Sequence, residues 1–250
     1  VAEAAADAAG AIIRPYFRAP LAVEAKGDAS PVTIADRKAE ETLRDLILAR
    51  CPGHGVMGEE HGTVNADAEY LWVLDPIDGT RAFVTGRPLF GTLIGLLHRG
   101  RPLLGVIDQP VTGERWIGVA GERTMFRGPF GGSAGCRPCP RLAEAELSCT
   151  SPDMFTPGTA PRFARLKAAA KRVTWGGDCY AYGLLALGLV DVVVDDTMKP
   201  WDWAALVPVV EGAGGRVTDW AGGPLRLGSA GDVLAVGDPA LLDESVRALA

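Results

Sequence analysis

The chain has no apolar stretch long enough to cross a bilayer. Its longest uncharged run, Cys179 to Val190, falls well short of the roughly 20 residues a membrane helix needs. The N-terminus lacks the basic start and apolar core of a secretory signal, so the expected compartment is the cytoplasm. Cysteine is scarce, five in 250 residues, and an odd number at irregular spacing is no disulfide framework. Cys136 and Cys139 form a C-x-x-C pair, but no second pair or suitably spaced histidine completes a zinc site. Their Gly- and Pro-rich loop is also not the strand-to-helix setting of a redox motif, and the pair is read as incidental. The three histidines lie in loops or at a strand end and are assigned no role. Positive charge is in deficit: 25 Lys and Arg against 31 Asp and Glu give a net charge of -6. That sign is wrong for a nucleic-acid surface and suits a cationic or metal-bound substrate. No G-x-S-x-G or P-loop pattern occurs, so serine-hydrolase and nucleotide-hydrolase readings fall away.

What the chain does have is carboxylate at strand ends. The run Tyr70 to Leu74 is apolar and β-prone, and Asp75-Pro76 is expected to stop it, because proline lacks an N–H and fixes φ. Asp75 and Asp78 are three apart across a turn and can reach one point in space. Gly79 lets the backbone come close to a ligand, and Thr80 is placed to cap a short helix through Arg81 and Phe83, whose free amides would face an anion. A plain Asp-Pro and Asp-Gly turn accounts for the same residues equally well. Two further acidic clusters tilt the balance: Gly58-Glu59-Glu60 after the apolar Val56-Met57, and Trp201-Asp202-Trp203 at the head of an apolar helix.

Taken in order, the chain opens with a helix over residues 1–17 that buries Val1, Ala5, Ala9, Ile12, Ile13, Tyr16 and Phe17 at helical spacing. Lys26 to Asp36 reads as a loop into a second helix, capped by Thr33 or Asp36, with Leu43, Leu46 and Ile47 inward. Phe90 to Val119, with turns at Arg99-Gly100 and Thr112-Gly113, reads as an antiparallel meander. The Gly/Pro-rich segment 128–140 marks a boundary between halves 1–130 and 131–250. Beyond it come helix Arg162–Lys171, strand Arg172–Trp175, helix Asp178–Leu189, strand Asp191–Asp195, a helix from Pro200 through Val210 that stops at Gly212 to Gly215, strands near Val217 and over Asp232–Val236, and a final helix Pro239–Leu249. That alternation implies layered α/β structure.

The order GEE, then WVLDPIDGT, then WDWAALVPVVEGAGG resembles the inositol monophosphatase family of metal-dependent phosphatases, from about Ser30 to near the C-terminus. The resemblance implies a layered αβαβα sandwich and, as is common in the family, a homodimer acting on a small phosphorylated metabolite. It also implies two or three Mg²⁺ ions. Glu59, Asp75 and the Ile77 carbonyl would hold one ion, and Asp75, Asp78 and Asp202 another, with Asp75 bridging. Such ions meet the demands of phosphate-ester hydrolysis, which is extremely slow uncatalysed. The Gly79 and Thr80 amides would hold the phosphate, and Asp36 and Thr80 would orient the attacking water, completing with Glu59 the catalytic set. Read without the resemblance, Asp36 is a helix cap, Glu59-Glu60 a solvated pair and Asp202 a charge complementing a helix dipole.

Within the family, Trp175 to Gly183 and Thr80 to Ile94 are most similar to the histidinol-phosphate phosphatase branch. Asp195, seven residues before Asp202, matches the position where the family contacts the non-phosphate part of its substrate. With Asp178 it would pair with the ammonium of histidinol phosphate, and the implied substrate-contact set is Ile77, Asp78, Gly79, Thr80, Asp178, Asp195 and Asp202. Asp178 as a helix cap and Asp195 or Asp196 as a strand end are the plainer alternatives. The competing functions are an inositol-1-monophosphatase or broad sugar-phosphate phosphatase, and a non-catalytic metal-dependent regulatory protein. The latter would be expected to have lost a metal carboxylate, and all are present.

Overall fold

The computed structural model describes residues 1–20, 23–25 and 31–250; of the loop expected over Lys26–Asp36, residues 26–30 lie outside the described residues, and the rest is a short strand and the start of a helix. The first half comprises α1 (Ala2–Ile13), β1 (Val23–Ala25), β2 (Pro31–Thr33), α2 (Ile34–Arg50), β3 (Gly55–Gly58), β4 (Gly62–Val64), β5 (Tyr70–Asp78), α3 (Thr80–Val84), β6 (Gly91–His98), β7 (Arg101–Gln109), β8 (Glu114–Val119) and β9 (Met125–Arg127). The second comprises β10 (Glu146–Cys149), α4 (Ala160–Ala169), β11 (Arg172–Trp175), α5 (Asp178–Leu185), β12 (Val192–Asp195), α6 (Pro200–Trp203), α7 (Leu206–Gly212), β13 (Arg216–Thr218), β14 (Val233–Val236) and α8 (Leu242–Leu249).

Strands buried on both faces need a helical layer on each side, and the alternation along β5 shows which side chain goes where. Trp72 and Leu74 join a core built from α1 and α2, with Ala5, Ala9, Ile13, Leu43 and Ile47. Leu71 and Val73 face the opposite way, into a core shared with Tyr182, Leu185, Trp203, Leu206, Val193 and Ala235. The seven-stranded sheet runs β4-β3-β5-β6-β7-β8-β9 and the five-stranded sheet β11-β10-β12-β14-β13. Helices α5, α6 and α7 lie between the two sheets, while α4 and α8 cover the far face through Phe163, Leu166 and Leu249. The layers are therefore αβαβα, the expected fold class.

One contact sets how closely the central helices approach the larger sheet. Gly95 pairs with Gly105, and Gly105 with Gly118, across β6, β7 and β8. All three present bare backbone to α6 and α7: a Cβ on Gly95 would meet Ala204 at 3.0 Å, one on Gly105 would collide with the Ala205 carbonyl, and one on Gly118 with the Pro208 carbonyl. The glycines thus form a trough across the sheet in which the segment after Asp202 lies.

Several expectations are corrected. The first helix stops at Ile13 and continues as a 3-10 turn over Arg14–Tyr16 with Pro15 in it; its buried stripe is mostly alanine, and Val1 is exposed. The helix from Pro200 is broken, ending at Trp203 and resuming at Leu206. Pro208 has no N–H for the Ala204 carbonyl, and its ring crowds that oxygen. Helix α4 begins at Ala160, ahead of the expected Arg162, with Pro161 in its first turn where a missing N–H costs nothing. Helix α5 ends at Leu185 rather than Leu189, before Gly188 at φ +72°. The last helix starts as a 3-10 turn, Pro239–Leu241. Strand β5 does not stop at Pro76 but runs to Asp78.

Gly105→Ala is expected to destabilise the fold by about 1–3 kcal/mol or more, the usual cost of overpacking, read as a lowered urea midpoint. Gly53→Ala, where an added Cβ meets nothing within 4 Å, should leave the midpoint nearly unchanged. Equal midpoints for the two variants would mean that the helix does not depend on the trough.

Candidate active site

The site begins with an irregularity in β5. Residues three apart on a regular strand point to opposite faces, so Asp75 and Asp78 could not share a ligand if the ladder were unbroken. In the structure Asp75 pairs with Leu93 and Asp78 with Gly91. Three steps on β5 thus match two on β6, a one-residue bulge that re-aims side chains. Pro76 sits inside it, where no ladder N–H is required, which explains why proline did not end the strand. The Ile77 N–H turns to Asp75 Oδ1 at 3.0 Å, and the Thr92 hydroxyl holds the Pro76 carbonyl at 2.8 Å. Gly79 follows at φ +89° and is the N-cap of α3. Thr80, expected as the cap, is instead the first helical residue. Its hydroxyl lies 3.1 Å from the Ile77 carbonyl and 3.4 Å from Asp36 Oδ1.

Asp36 is fixed by a capping box. Thr33 Oγ1 accepts the Ala35 N–H at 3.1 Å, while Asp36 Oδ2 accepts the Thr33 N–H at 2.9 Å and its hydroxyl at 2.5 Å. Both cap candidates are therefore used together, and Oδ1 of Asp36 remains directed at Thr80. Burial raises the Asp36 pKa, with the Thr33 hydrogen bonds opposing.

Asp202 enters from the first turn of α6, its Oδ2 accepting the Lys199 N–H at 2.7 Å. Carboxylate oxygens of Asp75, Asp78 and Asp202 lie within 4.8 Å of one another. Asp75 is 2% exposed, and its pKa is driven well above the ordinary carboxylate value by burial and then by the charges of Glu59, Asp78 and Asp202. Asp78 is raised likewise by burial and by Asp178 and Asp202, although the Cys179 N–H donates to its Oδ2 at 2.6 Å. Asp202 is pushed to about 7, chiefly by burial. Hard, mutually repelling oxygen donors, two from β5 and one from α6, fit a divalent cation of the Mg²⁺ type.

Glu59, Asp75, Ile77, Asp78, Gly79, Thr80, Asp178, Asp195 and Asp202 all line one cavity of about 210 Å³. It adjoins a mouth of about 420 Å³ bounded by Arg81, Ser151, Asp153 and Met154. Asp36 stands behind Thr80 and is not a lining residue. Asp178 holds φ +45°, a left-handed conformation rare for anything but glycine and enriched at functional sites. Burial and the charge of Asp195 raise it to about 7, against the pull of Arg81. Asp195 is 1% exposed; its oxygens accept the Thr150 N–H at 2.8 Å and the Tyr182 hydroxyl at 3.0 Å, and burial sets its pKa at about 6. Four lone-pair sites leave it further accepting capacity. As site residues the sequence reading missed Asp196, whose Oδ2 is buried without a partner, and Asp153 and Met154, which no motif marks. The Thr150 and Tyr182 contacts to Asp195 were equally beyond reach, because they arise from chain segments distant in sequence.

The model of the inositol monophosphatase family matches residues 1–249. The chloroplastic bifunctional phosphatase IMPL2 of Arabidopsis thaliana is 50% identical over 224 residues, covering 89% of this chain and 64% of that protein, so the chain spans less than two thirds of that relative. A histidinol-phosphatase of Chlorobaculum parvum is 39% identical over 225 residues, with 87% of this chain and 83% of that protein covered. The solved structure of an inositol monophosphatase from Zymomonas mobilis superimposes with a TM-score of 0.90 at 48% identity, covering 99% of this chain and 95% of that one. No helix among the described residues is long and apolar enough to cross a membrane.

The repulsion makes a stability prediction. Asp178, Asp195 and Asp202 bind protons more tightly folded than unfolded, so stability of the ion-free protein falls as pH rises from about 4 through about 7, and the raised Asp75 and Asp78 add to the same fall. Asp75→Asn removes one charge from the centre of the group, and in EDTA at pH 7.5 it should melt a few degrees above wild type, at about 2–4 °C per kcal/mol for a chain of this size. Adding Mg²⁺ should stabilise wild type and leave the variant almost unmoved. A variant that melts lower in EDTA would refute the account of the site as a strained anion cluster.

Proposed function

The chain belongs to the inositol monophosphatase family, whose members are metal-dependent phosphomonoesterases, and on that premise we propose that it hydrolyses L-histidinol phosphate to L-histidinol and phosphate. The proposed cofactor is Mg²⁺. Glu59, Asp75 and the Ile77 carbonyl would hold one ion, and Asp75, Asp78 and Asp202 a second. When bound, such ions neutralise phosphoryl charge and acidify water.

The rest falls to the chain's own groups. Thr80 has one hydroxyl proton and two lone pairs. Its acceptors are the Ile77 carbonyl at 3.1 Å and Asp36 Oδ1 at 3.4 Å; with the Ile77 carbonyl given to an ion, the hydroxyl would donate to Asp36 and take a proton from the attacking water in return. Burial makes Asp36 a stronger base than an ordinary aspartate, and Thr33 holds its other oxygen. Gly79, at φ +89°, lets the backbone pass close to the phosphate and lead into α3, whose first N–H groups have no partner within the helix.

The observation that carries the substrate choice is the charge of the leaving-group side. Beyond the ion ligands the cavity and its mouth are bounded by Asp153, Asp178, Asp195 and Asp196, with Arg81 the one cation among the described lining residues. A neutral polyol can offer such a surface only hydroxyl hydrogen bonds, whereas an ammonium and an imidazole that can protonate add complementary charge. The unpartnered Asp196 Oδ2 and the uncommon backbone of Asp178 support the same choice. So does the name histidinol-phosphatase among relatives at 39% identity. The 48% identity to an inositol monophosphatase of known structure favours inositol 1-phosphate as the second reading.

Phosphate release from histidinol phosphate, inositol 1-phosphate and glycerol 2-phosphate, each with Mg²⁺ and with EDTA, separates the two. Metal-dependent turnover with the highest kcat/KM on histidinol phosphate is expected; preference for inositol 1-phosphate would overturn the substrate assignment, and no release from any ester would overturn the enzymatic reading. Asp178→Asn retains a residue tolerant of positive φ. It should raise KM for histidinol phosphate about tenfold or more, the worth of one charged hydrogen bond, while leaving KM for glycerol 2-phosphate within about twofold.

A further inference from the structure

We infer that Glu40 is a positioning residue for Glu59, and that it sets the affinity of the site for its divalent ion without touching ion or substrate. The inference rests on the reading above that Glu59 holds an ion. Glu40 lies one turn after Asp36 on the same face of α2 and is 0% exposed. Its carboxylate does not point at the cavity. It closes on the turn that carries Glu59: Oε2 accepts the Glu60 N–H at 2.7 Å, and Oε1 accepts the His61 N–H at 3.1 Å. On the other side of Glu59, Gly58 packs directly against the same carboxylate, so tightly that a Cβ there would collide with Oε1. Glu59 is thus followed by backbone bonded to Glu40 and preceded by backbone packed against it, and its own N–H is tied to the Leu74 carbonyl at 3.2 Å, next to Asp75.

Charge balance explains why a carboxylate serves here. Arg44, a further turn along α2, donates to Glu40 Oε1 at 2.7 Å and also binds the Gly62 carbonyl. A buried ion pair generally contributes no more stability than apolar residues of the same volume. What this pair supplies is two acceptor oxygens at set positions for two consecutive N–H groups of a tight turn. Helix α2 thereby registers both arms of the site, Thr80 through Asp36 and Glu59 through Glu40. Groups that orient a ligating side chain typically change metal affinity 10–100-fold when removed.

The test titrates the ion-free full chain with Mg²⁺ by calorimetry and records KM and kcat at saturating Mg²⁺. Glu40→Gln keeps the volume but offers a single acceptor oxygen. It should weaken Mg²⁺ binding by about tenfold or more, with KM for the phosphate ester unchanged once the ion is saturating. Glu40→Asp, which keeps the charge but draws the carboxylate back by one methylene, should give an intermediate loss. Unaltered Mg²⁺ affinity in a variant that melts cooperatively would overturn the inference, and so would failure of both variants to fold, which would make Glu40 a folding residue only. Glu59→Gln, run alongside, separates the layers: if it binds Mg²⁺ as tightly as wild type, the ligand reading of Glu59 itself is lost, whereas loss there with no effect at Glu40 defeats only the positioning role.

Discussion

Like charges do not gather unless something holds them. Asp75, Asp78 and Asp202 place carboxylate oxygens within 4.8 Å of one another, with Glu59 and Asp178 near enough to raise their pKa values further. In a partly desolvated cleft that arrangement opposes folding, so the surrounding structure must hold it together until a cation does. Most of the unusual local features of the molecule can be read as answers to that one demand.

Three devices meet it from three directions. The bulge in β5 brings two carboxylates of opposite strand parity to one side, and its stray polar groups are taken up by Asp75 itself and by Thr92. The trough of Gly95, Gly105 and Gly118 lets the segment behind Asp202 lie against the sheet backbone, which drives the α6 turn deep enough for its aspartate to join the pair. The first turn of α5 reaches across from the other half to give the Cys179 N–H to Asp78. Each is a backbone device. Rigid backbone is what keeps repelling side chains from relaxing apart, since side-chain packing alone would yield by rotamer change.

This explains which parts were legible in sequence. Asp75, Asp78, Glu59 and Asp202 could be proposed as a group because motifs carry side-chain identity in order along the chain. The layered fold followed from the alternation of helix-like and strand-like periods. The geometry that unites the group was not legible: Pro76 reads locally as a strand terminator, and only pairing with β6 reveals it as the content of a bulge. Gly95, Gly105 and Gly118 are unremarkable in a glycine-rich chain until strand register aligns them. Pro208 within an apolar helical run did signal the break between α6 and α7, and the continuous helix expected there overlooked it. Glu40 was within reach too, because it sits four residues after Asp36 and so shares its helical face, but its partners are backbone amides that no motif records.

Chemistry and specificity in this molecule rest on different kinds of information. The carboxylates proposed to hold the ions, Asp75, Asp78 and Asp202, belong to the bulge and the trough, so they are set by register and close packing. The wall proposed to meet the leaving group is made of Asp153, Asp178, Asp195 and Asp196, drawn from loops, a strand end and one left-handed helix start. The loop positions among them can change identity with little effect on the sheets, whereas Asp195 is itself a buried part of β12 bonded to Thr150 and Tyr182. A family with one ion site and several substrates is what that division would produce. In this chain that wall carries four carboxylates against one arginine among the described lining residues, and the proposal of a cationic alcohol as leaving group rests on that imbalance.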